Sequence, residues 1–332
     1  MKAMREALCG LPELDAEVRR ALTGRAAHIL RPTGALARFD DVAIWMGAWQ
    51  RSASPAVRRP AAVLFAADHG VAVDGVSAYP PEVTASMLAA FRAGRSTLHA
   101  LASAASASVH VFDVGVGRPT DNLRVTAAMS EQGFAAAFAA GRAAVHELDC
   151  DLLVVGEMGI ANTTSAAALC ARLLGGDIGR WVGRGTGIDD ERHDHKLTVV
   201  TEACARTAGI DDPIEIFRQL GGHELAAMAG AFVEARHRRL PVLLDGYVAS
   251  AALLPLWCVE PAIVDHCQAG HCSAESGHRA LLGRLGLVAL LDLGLRLGEG
   301  SGAMAAVPLV AMACRALVDV PTFAEWFATG LS

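Results

Sequence analysis

Aromatic residues are scarce in this chain of 332 residues, at 5% of the total, and no run of lysine or arginine breaks a formal net charge of -6. The first shortage leaves little for stacking single-stranded bases, and the second removes the electrostatic footprint of a nucleic-acid binder, so no nucleic-acid partner is expected. The N-terminal stretch, Met1 to Arg20, is charged throughout and has no signal-peptide core. No uninterrupted apolar run of membrane-spanning length is read: the best, Leu281 to Leu297, carries Arg284, Asp292 and Arg296. A cytoplasmic protein without a membrane partner is the expectation. The 8 cysteines follow no paired zinc spacing, and most sit in apolar text, which fits reduced core thiols.

Hydrophobic residues reach 53% and charged ones 19%, enough for a large core. Short apolar runs lead through turns into alanine-rich helical text: Ala61–Phe65, Val109–Val114, Leu152–Val155 and Val242–Leu244, each with glycine in the turn, and Ala262–Val264, which leads into Asp265-His266. Strands alternating with helices indicate an α/β fold, an open, mainly parallel Rossmann-like sheet covered by helices, with ligands at the carboxyl ends of the strands. The segments Pro12 to Leu30 and Met304 to Val318 read as helices. They suggest a small helical subdomain, 1–39 with 301–332, beside a catalytic domain of 40–300. The apolar run Leu287 to Leu297 also reads as a helix, leading into Gly298-Glu299-Gly300-Ser301. A carboxylate between glycines has room for a ligand and is a seat for a general base.

Gly156-Glu157-Met158-Gly159-Ile160-Ala161-Asn162-Thr163-Thr164 closes a strand and opens a helix, where backbone N–H groups bind phosphate without a cation; a well-capped turn is the plainer reading. It is neither a Walker loop nor a dinucleotide fingerprint. Gly183 to Asp190, with Lys196 after it, is a second glycine-rich loop that by itself suits a solvated surface loop. Asp68-His69 at a strand end is either a catalytic pair or a hydrogen-bonded corner. The segment His266 to His278 is dense in His and Cys but matches no structural zinc pattern, so hydrogen bonding by His271, Ser273 and Glu275 is expected and metal is not.

In order, these segments, together with Gly75-Val76-Ser77-Ala78-Tyr79-Pro80, Gly221-Gly222-His223-Glu224, Leu244-Asp245-Gly246 and Leu297-Gly298-Glu299-Gly300, resemble the nicotinate-nucleotide–dimethylbenzimidazole phosphoribosyltransferase family from about Arg31 to beyond Ala303. The resemblance implies transfer of the phosphoribosyl group of nicotinate mononucleotide to 5,6-dimethylbenzimidazole, in cobalamin biosynthesis, by a homodimer. It implies Glu299 as base, with Glu157 and Lys196 in the active site. Gly159, Asn162, Thr163, Thr164, Gly185, Thr186, Gly187, Asp245, Ser273, Glu275, Gly300 and Ser301 then fall to the phosphoribosyl and nicotinate groups. Ser77, Tyr79, Pro80, Met87 and Leu297 fall to the aromatic base. No cofactor or metal is implied, since no pyrophosphate leaves. Ala161 stands where the family has glycine, which would strain the loop if its φ is positive; Ser301 replaces a threonine, and Met87 a glutamine of some relatives.

Overall fold

The computed structural model describes residues 1–330. Five parallel strands, β1 (Pro60–Ala67), β2 (Ser108–Gly115), β3 (Leu152–Met158), β4 (Val242–Leu244) and β5 (Cys267–Ala269), lie in the order β2-β1-β3-β4-β5. The chain begins at β1, steps out to β2 and returns across β1 to β3, so the order reverses between β1 and β3. Such a switch opens a crevice at the carboxyl ends of the strands.

Alternation along each strand feeds two cores. Val63, Phe65, Val155 and Leu244 face one, and Leu64, Ala66, Val154 and Leu243 the other. The first is covered by the helices Glu131–His146, Asn162–Leu174, His223–His237 and Tyr247–Val259, and the second by Ala37–Gln50, Thr97–Ala104 and Ser301–Val318. Small residues set how closely these helices approach: a β-carbon on Gly141 would stand 1.7 Å from the Ala227 carbonyl oxygen.

Both terminal segments are helical. The first helix expected across Pro12–Leu30 begins at Ala16, because Asp15 caps it by accepting from Glu17 and Val18 N–H. Arg25 ties it to the C-terminal segment, donating to the carbonyls of Leu317, Val318 and Val320. The Ser301–Val318 helix shares its core with β1, β3 and β4. It is also long and apolar enough to cross a membrane, a candidate the sequence reading passed over for Leu281–Leu297; ten of its residues, Ala303, Val307 and Val310 among them, are buried in the fold.

Two expectations fail here. Ala262–Val264 is a short 3-10 turn opened by Pro261, and the edge strand comes later, at Cys267–Ala269. Leu287 to Leu297 is not a helix. Gly286, at φ 71, ends the preceding helix, and the chain then runs extended beside the β5 edge, with Leu290 N–H on Ala269, Leu291 N–H on Gly270 and Cys272 N–H on Leu291. Its apolar residues are spent on a tertiary ladder rather than on a helix face.

Candidate active site

Glu299 therefore precedes a helix instead of following one. Gly298, Glu299 and Gly300 take φ of 80°, 64° and 81°, three consecutive left-handed residues before the Ser301–Val318 helix. Glycine adopts this region freely, while glutamate is strained there. The turn lies against the end of β3: a β-carbon on Gly156 would stand 2.6 Å from the Glu299 carbonyl group. Ser301 closes it, its Oγ donating to the Gly298 carbonyl at 2.7 Å. The Glu299 side chain is buried and its Oε2 has no hydrogen-bond partner. Burial, and after it the charge of Asp245, pushes its pKa up to about 7.

Glu157, near the end of β3, faces the same turn, with a β-carbon on Gly298 standing 2.5 Å from its Oε1. Burial first, then the charge of Glu224, pushes Glu157 up to about 8, against the lowering effect of a hydrogen bond from Asn162 Nδ2. Asn162 thus spends its side chain on the carboxylate, and the Asn162–Leu174 helix has no side-chain cap. Ala161, just before it, holds φ 78, so the strain expected of an alanine in this loop is present.

Lys196 is buried behind this loop. Its Nζ donates to Thr163 Oγ1 at 2.8 Å and to the Gly183 carbonyl at 3.0 Å, and burial pulls its pKa down to about 8 despite Glu275 nearby. Gly183 leaves space for Glu275: a β-carbon there would meet Oε2 at 1.9 Å. Gly185 and Gly187 are left-handed at φ 51 and 107. Between them, Thr186 Oγ1 accepts from Ala78 N–H and lies 3.3 Å from Ser77 Oγ, which joins the Ser77–Pro80 loop to the glycine loop.

The resulting pocket, of about 100 Å³, is lined by Glu157, Gly159, Asn162, Thr163, Gly185, Thr186, Ser273, Glu275 and Leu297 among the expected residues. Lys196, Thr164, Glu299, Asp245, Gly187, Gly300, Ser301, Ser77, Tyr79, Pro80 and Met87 are not on its wall. Thr164 is fully buried beneath it, Tyr79 is exposed, and Met87 packs on the second core. A roomier cavity of about 490 Å³ opens among Arg51, Arg58, Arg59, Arg238 and Arg239. It lies at the amino ends of β1, β3 and β4, the wrong rim for a ligand of an open parallel sheet, and holds none of these carboxylates.

Carboxylates pushed toward neutrality beside an uncapped helix start suit proton removal next to a bound phosphate ester. A family model described as a phosphoribosyltransferase matches residues 11–326. A protein of Novosphingobium aromaticivorans named nicotinate-nucleotide–dimethylbenzimidazole phosphoribosyltransferase is 48% identical over 326 residues, 98% of this chain and 96% of the relative. The chain belongs to this phosphoribosyltransferase family. A relative of the same name from Cereibacter sphaeroides is 46% identical over 316 residues, covering 95% of this chain and 93% of its own. The crystal structure of CobT from Thermus thermophilus is 40% identical, with a TM-score of 0.90 over 95% of this chain and 99% of that one.

Three lining residues of this phosphoribosyltransferase escaped the sequence reading, Tyr247, Val248 and Arg296, while His271, expected there only as a hydrogen-bonding group, also lines the pocket. Arg296, which donates to the Gly185 carbonyl at 3.3 Å, was noted only as an interruption of an apolar run. One unused signal was the rarity of lysine, with Lys196 and Lys2 the chain's only two. The Asp68-His69 pair is a corner: Asp68 accepts from Gly117 N–H, while His69 Nε2 pairs with Glu224 Oε1 at 2.5 Å and its Nδ1 lies 3.1 Å from Ser165 Oγ. Both His69 and Glu224 are buried behind Gly159, whose β-carbon would stand 3.0 Å from Glu224 Oε1. The eight cysteines are unpaired, and among the described residues no group of three or more His, Cys, Asp or Glu is placed to hold a metal.

Proposed function

We propose that this pocket transfers the 5-phosphoribosyl group of nicotinate mononucleotide to 5,6-dimethylbenzimidazole, giving α-ribazole 5′-phosphate and nicotinate, with Glu299 as general base. The observation that carries the assignment of the base is its buried, unpartnered Oε2 on a carboxyl group pushed to about 7. A base works best with a proton affinity near the operating pH.

The donor's ring is a pyridinium, so it departs as a neutral pyridine and needs no acid. As the glycosidic bond lengthens, positive charge grows on the anomeric carbon, and ionised Glu299 offers it negative charge in a dry setting, with Glu157, pushed up to about 8, beside it mainly in its protonated form. The azole nitrogen attacks from the opposite face, which turns a β-nucleotide into an α-riboside, and Glu299 takes the azole proton. The start of the Asn162–Leu174 helix, with Thr163, Thr164, Gly185 to Gly187 and Lys196, is the proposed phosphoribosyl seat. Ser273, Glu275, Asp245, Gly300 and Ser301 border it in this reading, and Ser77, Tyr79, Pro80, Met87 and Leu297 are the proposed slot for the aromatic ring. The same reading takes the chain as a cytoplasmic homodimer, with 1–39 and 301–332, the last two of which lie outside the described residues, as a helical subdomain whose described part shares its core with the sheet.

Glu299→Gln tests it. The variant is expected to fold, to bind nicotinate mononucleotide, and to lose about 10²–10⁴-fold in kcat. Turnover at the wild-type rate would remove Glu299 from the role.

A further inference from the structure

A strained turn persists only if its surroundings hold it. The turn 298–300 has one conspicuous holder. Asp245 follows β4 and is buried at 1% exposure. Its Oδ2 accepts from Gly300 N–H at 3.1 Å and its Oδ1 from Ala303 N–H at 2.9 Å. These donors stand at the start of the Ser301–Val318 helix, where N–H groups have no partner within the helix. The His271 ring closes the far side, with Nε2 3.5 Å from Asp245 Oδ1, and it packs so tightly on Gly302 that a β-carbon there would stand 2.1 Å from Cδ2. Both oxygens of Asp245 are thus engaged by backbone, and opposite them Gly156 presses on the Glu299 carbonyl.

We infer that Asp245 is the positioning residue of Glu299: by clamping the amides of Gly300 and Ala303 it fixes the left-handed turn that holds the carboxylate beside the pocket, next to Gly298 on its wall. The inference rests on the reading of Glu299 as base. The charged groups facing Glu299 are Asp245 from the end of β4 and Glu157 from the end of β3, with His271 behind the first and Glu224 behind the second. Removing the charge at 245 therefore also eases ionisation of Glu299.

Asp245→Asn keeps the shape but leaves one of the two N–H groups facing an NH2. It is expected to lower kcat about 100-fold, the scale of a displacement of about 1 Å, with KM for nicotinate mononucleotide within about twofold. Amide exchange across 298–303 is expected to rise, and the acid limb of kcat/KM to move to lower pH. In a Glu299→Gln background the same change should leave kcat within about twofold, since the two act through one group. A raised KM with kcat intact, unchanged amide exchange, or the full loss in that background would overturn the inference. Wild-type turnover in Glu299→Gln alone would sink the base and leave the exchange experiment to decide the clamp. If Asp245→Asn fails to fold, Gly300→Ala disturbs the same turn at φ 81 without touching Asp245. The same kcat loss and faster exchange are expected, and an unaffected kcat would overturn the inference.

Discussion

Gly298 is packed against Glu157 so closely that any β-carbon at 298 would stand 2.5 Å from the Glu157 Oε1. Gly298→Ala meets two penalties at once, that contact and a φ of 80°, the second alone worth about 1–2 kcal/mol. Because the relief available is to push Glu157 or the Glu299 turn aside, kcat/KM is expected to fall at least about tenfold while the fold survives. Steady-state kinetics beside a thermal melt checks this, and kinetics like wild type would show that neither carboxylate depends on the contact.

How much of this was legible in the sequence depended on range. The glycine-ended strands were readable because the turns after β1, β2 and β3 follow local rules. Ala161 was legible in the same local way: alanine in a glycine's place implies strain if its φ is positive, and φ is 78°. The extended run Leu287–Leu297 was not, because its apolar content is answered by partners in 269–274 that no local pattern reveals. The task of Asp245 was hidden for the same reason: its two donors lie 55 and 58 residues further along.

Glu299, pushed up to about 7, must lose its proton before it can act as a base. For the free enzyme kcat/KM is therefore expected to climb about tenfold per pH unit below pH 7 and to level off above it. The limb should be centred about one unit above the second ionisation of a phosphate ester, near 6. A profile flat from pH 5.5 to 8 would rule out a titrating base of this kind.

Stability should fall over part of the same range. Glu157, pushed from 4.5 up to about 8, holds a proton in the folded state that the unfolded chain has already lost, and the resulting stabilisation disappears as pH rises toward 8. His266 and His278, pulled from 6.5 down to about 3, act with the opposite sign but only below about 6.5. Lys196, pulled down to about 8, restores stability only above that value. Between pH 6.5 and 8 the net slope is downward, at most about 1.4 kcal/mol per pH unit for each carboxyl group involved. Urea unfolding at pH 6.5, 7.2 and 8.0 measures it, and Glu157→Gln should flatten the slope. A rise across the window would contradict the picture.

Lys196 separates binding from chemistry. Its ammonium is fully enclosed, donates to Thr163 Oγ1 and the Gly183 carbonyl, and so ties the start of the Asn162–Leu174 helix to the glycine loop. Lys196→Met keeps the length of the stem and removes both bonds and the charge. If the loops seat the phosphate, KM for nicotinate mononucleotide should rise about 10–100-fold and kcat should change much less, the pattern of a lost ground-state contact. Lys196→Arg should not rescue it, since the planar guanidinium needs more width than a slot built for a point donor provides. A fall confined to kcat would instead place Lys196 beside the reacting atoms, with the phosphate held by the backbone amides alone.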